Sequence, residues 1–143
     1  MTDPADRFLA DILAEPETLR GVLQAYGAPG GPLDAIGELN GRPVLLLGMG
    51  SSRFAALAAC SLLRAYGVEA AVEHASSGSP TPPDAGRLVV AISASGTTPE
   101  TVEAAARHAG TSPVVAVTNR PDEALGSVAT VVLPLLAGEE QGG

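Results

Sequence analysis

Leu88-Val89-Val90-Ala91-Ile92-Ser93-Ala94-Ser95-Gly96-Thr97-Thr98 passes from five apolar residues straight into a turn of hydroxyls and glycine, and Val44-Leu45-Leu46-Leu47-Gly48-Met49-Gly50-Ser51-Ser52 shows the same design upstream. A short unbroken apolar run bounded by turn residues reads as a strand buried on both faces. Glycine lets the backbone approach a ligand closely, and a helix that starts after such a turn offers free N–H groups and the positive end of its dipole to an anion. Serine and threonine add neutral donors. In a parallel α/β sheet turns of this kind gather at one edge, so the pair implies a pocket for a phosphorylated small molecule.

Working outward, the residues from Arg42 onward alternate strand and helix. The first strand, Val44 to Leu47, leads into a helix from about Ser52 to Tyr66 that stops at Gly67, a suitable residue for the turn past a helix end. Val68 to His74 reads as the second strand, followed by a Ser- and Pro-rich loop from Ala75 to Ala85 and the third strand, Leu88 to Ile92. Thr98 is placed to cap the next helix, with Pro99 at its first position and Val102, Ala105, Ala106 and Ala109 on its buried face. Val114 to Val117, a short helix from Glu123 to Ser127 and a strand from Val128 to Leu133 complete the series. The fold class this implies is α/β: a three-layer α/β/α sandwich around a five-stranded parallel sheet of flavodoxin-like order 2-1-3-4-5. In that order strands one and three are neighbours at the switch point, and they are the two strands that end in the hydroxyl-rich turns.

Residues 1–40 form a separate helical segment ahead of the domain, which takes in residues 41–143. Phe8, Leu9, Ile12 and Leu13, then Leu19, Val22, Leu23 and Tyr26, recur at helical spacing, and Pro16 suits the first turn of a second helix. Leu33, Ile36 and Leu39 suggest a short third helix after the breaker Gly27 to Pro32. After the fifth strand Pro134 to Gly143 is too short for another covering helix, so the N-terminal helices, a partner or further sequence must cover that face. A homodimer or larger assembly is expected.

Hydrophobic residues make up 45% of the 143-residue chain and charged residues 17%, a balance that fits one globular domain. Aromatics are only 3%, which leaves the core to Ala, Val, Leu and Ile. A net charge of -8 disfavours nucleic acid and anionic membrane surfaces, which need clustered cations. The sequence contains no lysine, which excludes a P-loop lysine or a lysine Schiff base from this chain. Cys60 is a single cysteine in an apolar helical stretch and reads as a small core residue. The acidic N-terminus carries no signal peptide and no apolar run reaches the length of a membrane span, so a cytoplasmic location is expected.

The ordered set of local patterns resembles the SIS (sugar isomerase) family of phosphosugar-binding domains. It looks closest to the N-terminal lobe of the isomerase module of glucosamine-6-phosphate synthase and related isomerases and deaminases. The matching pieces are Ile12-Leu13-Ala14-Glu15-Pro16 with Leu19-Arg20, Gly48 to Ser52, Ala75-Ser76, Ala91 to Thr98 with Glu100-Thr101, Ala116 to Asn119, and Ala137 to Gly142. The resemblance implies that Gly50, Ser51 and Ser52 line the sugar side. It also implies that Ser93, Ala94, Ser95, Gly96, Thr97 and Thr98 wrap the phosphate. Ala94 departs from the glutamine usual in the synthase group, and Ser77 from its glutamate, which leaves the sugar open. The glutamate base, ring-opening histidine and C-terminal lysine of two-lobed members lie downstream of the residues present here.

Other signals are weaker. Gly48-x-Gly50 with Glu73 resembles a dinucleotide fingerprint, but Arg53 stands where the third glycine belongs. His74 and His108 have no ligand-spaced Cys, Asp or Glu around them, so neither a metal nor a cofactor is expected. His74 reads as a rim or packing residue and His108 as a cation favoured by a helix C-terminus. Arg53 reads as a solvated helix residue or an anion contact. Glu139 and Glu140 are the chain's weak candidates for the proton shuttle of an aldose–ketose isomerisation. The expected function is phosphosugar binding within an isomerase or deaminase. The alternatives are a non-catalytic phosphosugar sensor and an inactive fragment lacking a second lobe.

Overall fold

The computed structural model describes residues 4–138. Five parallel strands, β1 (Val44–Gly48), β2 (Ala70–His74), β3 (Leu88–Ile92), β4 (Val114–Thr118) and β5 (Val131–Pro134), form one sheet in the order β2-β1-β3-β4-β5. The helices are α1 (Pro4–Gly27), α2 (Gly50–Ala65), α3 (Pro99–His108) and α4 (Ala124–Val128), with a 3-10 helix at Pro32–Leu39. The expected fold class and strand order hold.

Side-chain alternation along the strands assigns the layers. Leu45, Leu47, Val89, Ala91, Val114 and Ala116 face Ala104, Ala105 and Leu125 of α3 and α4. Val44, Leu46, Leu88, Val115 and Leu133 face Ala56 and Cys60 of α2. β1 is buried at all five positions, as a central strand covered on both sides must be. Cys60 is a buried free thiol, the core role expected of it.

Several boundaries move. α1 runs unbroken through Pro16, where two helices were expected. Ile12, whose carbonyl loses the proline's N–H as a partner, is exposed, so this turn lies where solvent has access, unlike a turn of a buried helix. β2 begins at Ala70 and β5 at Val131, each later than the apolar run suggests. Strand pairing sets these limits: Val44 is opposite Ala70, and Val115 is opposite Val131.

The end of α1 and the 3-10 helix cover the α2 side of the sheet near β5. Tyr26 donates its hydroxyl to the Pro134 carbonyl at 2.6 Å, and Tyr26, Ile36 and Leu39 pack against the second core cluster. Burial pushes the Tyr26 phenol up. The rest of α1 leaves Phe8, Leu9, Ile12, Leu13, Leu19 and Leu23 exposed. No helix among the described residues is long and apolar enough to cross a membrane.

His108 corrects its sequence reading. It is 1% exposed on the buried stripe of α3 with Thr101, Ala104 and Ala105, not a surface cation at the helix end. Burial lowers its pKa, with the Glu73 carboxylate opposing and Arg87 and Arg107 reinforcing. The folded imidazole is therefore neutral under conditions where the unfolded chain, titrating near pH ~6.5, takes up a proton. Its contribution to stability is present above that pH and is lost as pH falls through it toward the lower folded value. Urea denaturation should show lower stability at pH 5.5 than at pH 7.5, and His108→Gln should flatten that difference. An unchanged difference would contradict this reading.

Candidate functional site

Both hydroxyl-rich turns leave the sheet at its C-terminal edge from adjacent strands. Gly48 pairs with Ile92, so the segments beginning at Met49 and Ser93 emerge side by side at the same height. α2 then crosses toward β2 and α3 toward β4, so the chain diverges between the two turns and opens a crevice at the switch point.

The first turn is tight because β1 and α2 meet closely. A Cβ on Gly48 would stand 2.9 Å from the Ser52 carbonyl carbon and 3.0 Å from the Arg53 nitrogen. Gly50 starts α2 at φ +49°, a conformation that disfavours side chains, and its Cβ direction faces open space. Met49 at the cap position supplies no side-chain hydrogen bond. The first-turn N–H groups of Gly50, Ser51 and Ser52 have no side-chain cap, with Ser51 exposed and Ser52 half-buried. These are the free donors that an anion or a sugar oxygen can use.

The second turn is braced from within. Thr98 takes the cap position of α3, as expected, but its hydroxyl pairs with the Ser93 hydroxyl at 3.0 Å and makes no cap bond. Ser93 is 3% exposed, and its Oγ also accepts the Gly96 N–H at 3.2 Å. Ser95 is exposed, and its Oγ accepts from the Thr97 N–H at 3.3 Å and the Thr97 hydroxyl at 3.1 Å. The geometry thus divides the hydroxyls: Ser93 and Thr98 fix the turn, whereas Ser95 and Thr97 face solvent.

The β4–α4 connection clamps this turn from outside. Ser93 N–H donates to Val117 O, Asn119 N–H to Ala94 O and Leu125 N–H to Gly96 O. Thr118 Oγ1 donates to Ala94 O and accepts from Arg120 N–H. Gly96 sits at φ +68°, and a Cβ there would meet Arg120 O, Glu123 Cβ and Thr118 Oγ1, each at 3.0 Å. Thr118 and Asn119 are supporting residues; the sequence reading quotes them within the Ala116–Asn119 piece of the resemblance but gives them no role. Asn119 also holds the chain after β5, donating through Nδ2 to Gly138 O and accepting Ala137 N–H at 3.0 Å through Oδ1. Glu139 and Glu140 follow directly and lie outside the described residues.

The weaker candidates fall at or below the rim. His74 ends β2, is exposed, and its Nδ1 shares a 2.8 Å hydrogen bond with Ser76 Oγ. Glu73 Oε2 accepts from Thr81 N–H at 2.7 Å and from the Thr81 hydroxyl. That carboxylate braces the loop after β2, which removes it from the ribose-binding role of a dinucleotide site. Arg53 shares a helical stripe with Ala56 and Cys60 in the first turns of α2, and its buried Nε has no hydrogen-bond partner among the described residues. It is not the fully solvated residue of one sequence reading.

No protein-family model and no curated protein matches the chain. Solved structures do. The C-terminal domain of glucosamine-fructose-6-phosphate aminotransferase from Francisella tularensis superposes with a TM-score of 0.81 at 25% identity, covering 94% of this chain and 40% of that one. The sugar isomerase domain of an RpiR transcription factor from Sphaerobacter thermophilus gives 0.65 at 23% identity, covering 92% and 74%. The Vibrio vulnificus NanR protein complexed with ManNAc-6P gives 0.64 at 20% identity, covering 94% and 56%. These last two show the shared fold. The chain spans less than half the length of the aminotransferase domain. The 2-1-3-4-5 sheet and the two turns set side by side at its switch point agree with those likenesses, and the chain is similar in fold to sugar isomerase (SIS) domains.

Proposed function

We propose that the chain binds a phosphosugar in the crevice between Gly50–Ser52 and Ser93–Thr98, as part of an aldose–ketose sugar-phosphate isomerase or deaminase. The observation that carries this reading is the pairing of Gly48 with Ile92, which sets two uncapped helix starts beside each other. Phosphate is held by the Ser95 and Thr97 hydroxyls and the loop amides at the start of α3, while Ser51 and Ser52 meet the sugar. Fixed N–H dipoles offset the repulsion that a chain of net charge -8 exerts on a dianion. Ala94 adds no side-chain donor at the position where the resemblance leads one to expect glutamine. Isomerisation also needs a base, and Glu139 and Glu140 are this chain's own candidates for it. The chain stands for the N-terminal lobe of a two-lobed arrangement. It works in the cytoplasm as a homodimer or larger assembly that covers the apolar side chains of α1.

A melting-temperature and turnover experiment tests this. Fructose 6-phosphate or glucosamine 6-phosphate should raise the melting temperature in a saturable way. Turnover by the purified chain would place the base within it, whereas stabilisation without turnover would favour sensing, or a base supplied by another lobe. No shift with any hexose phosphate at millimolar concentration would overturn the proposal.

A further inference from the structure

Three of the chain's eight arginines gather at the sheet edge opposite the crevice. Arg42 precedes β1, Arg64 lies in the last turn of α2 and Arg87 precedes β3. A cavity of about 250 Å³ at the start of β1 and β2 is lined by Arg64, Arg87, Glu69, Thr81 and Pro43 among others. A second of about 250 Å³, lined by Arg42, shares Pro43 and Glu69 with it. The five-residue strands put this edge about 15 Å from the crevice, at ~3.3 Å per residue.

The guanidinium groups are anchored rather than neutralised. Arg42 Nη1 donates to Ala85 O at 2.6 Å, Arg64 Nε to Ala70 O at 2.7 Å and Arg87 Nη1 to Pro82 O at 3.0 Å. One carbonyl orients each fork and leaves its other donors available. Among the described residues Arg87 Nη2 pairs with Asp84 at 3.8 Å, with the Asp84 side chain 55% exposed, a geometry that contributes little. In a protein of net charge -8 this edge concentrates three cations, offset in part by the nearby carboxylates of Glu69, Glu73 and Asp84. It is also concave, which distinguishes it from a solvated basic face.

We infer that this trough is a second ligand site, which takes a small phosphate ester carrying free hydroxyl groups. Planar guanidinium forks match phosphate oxygens two at a time. Glu69 is a lining residue of both cavities, and its carboxylate can only accept, so it disfavours a bare anion and favours a ligand that also brings a hydroxyl donor. Thr81 Oγ1 donates to Glu73 and keeps a lone pair for such a hydroxyl. The volume admits a phosphate and a few carbons but not a drug-sized molecule.

The test uses glycerol 3-phosphate as probe and inorganic phosphate as comparison. It is run on the whole chain and on a Ser95→Ala/Thr98→Val form, in which the crevice is impaired. Glycerol 3-phosphate should bind that form saturably, with one site per chain, more tightly than inorganic phosphate. Arg42→Gln/Arg87→Gln in the same background should weaken binding at least tenfold. Arg42→Gln alone serves if the pair lowers the melting temperature. Amide resonances of Glu69, Ala70 and Ala71 should move during the titration. The inference is overturned if the probe fails to bind the Ser95→Ala/Thr98→Val chain, if the arginine substitutions leave its affinity unchanged, or if inorganic phosphate binds equally well. Failure of the crevice proposal reads differently: Ser95→Ala/Thr98→Val would then leave hexose phosphate binding untouched, whatever Arg42 and Arg87 do.

Discussion

Gly96→Ala is expected to destabilise the fold by about 3 kcal/mol and to reduce phosphosugar affinity by more than tenfold. Two costs add. At φ +68° a side chain is strained by about 1–2 kcal/mol. The new Cβ would also sit 3.0 Å from Arg120 O, Glu123 Cβ and Thr118 Oγ1, of which the first is backbone that cannot turn aside. Relief requires pulling the turn off the β4–α4 connection, which breaks Leu125 N–H to Gly96 O and Asn119 N–H to Ala94 O. Those are the bonds that position the Ser95 and Thr97 donors. Urea denaturation and calorimetric titration of the same sample would measure both effects. A variant as stable as the parent would contradict the clamp.

Thr98→Val should produce the second large effect, and Ser95→Ala shows why it is distinctive. Valine preserves the shape of threonine but deprives Ser93 Oγ of its 3.0 Å partner in a place only 3% exposed. Loss of a hydrogen bond to a buried hydroxyl costs about 1–2 kcal/mol, and the loosened turn loses its preorganised amides. Affinity for a hexose phosphate should fall about tenfold, equivalent to ~1.4 kcal/mol, together with a lower melting temperature. Ser95 is exposed, so Ser95→Ala should lower affinity to a similar degree while leaving stability within ~0.5 kcal/mol. Equal effects of both substitutions on stability would show that the hydroxyls are not divided between bracing and binding.

Much of this architecture was legible because local signals agreed with one another. The apolar runs gave β1 and β3 to the residue or nearly so. Gly67 follows α2 at φ +80° and Pro99 opens α3, as their backbone preferences direct. Strand–helix alternation pointed to the flavodoxin-like order, in which the two hydroxyl-rich turns fall at the switch point. What escaped the sequence depended on long-range contacts. Pro16 does not break α1, where the surrounding turn is exposed and the carbonyl that loses its partner is not forced into a core. Thr98 caps nothing with its side chain, because Ser93, five residues earlier, offers it a buried partner. His108 follows helical spacing from Thr101 and Ala104, yet a histidine beside a helix end reads as a dipole-favoured cation until burial is known. Thr118 and Asn119 gain their meaning from Ala94 and Gly138, contacts that no local window contains.

The most direct test is a nuclear magnetic resonance titration of the isotope-labelled chain with a hexose 6-phosphate, following backbone amides. The amides of Gly50, Ser51 and Ser52 should shift together with those of Ser95, Gly96 and Thr97, all with one dissociation constant. Movement confined to one turn, or none in either at saturating phosphosugar, would contradict a shared ligand between β1 and β3.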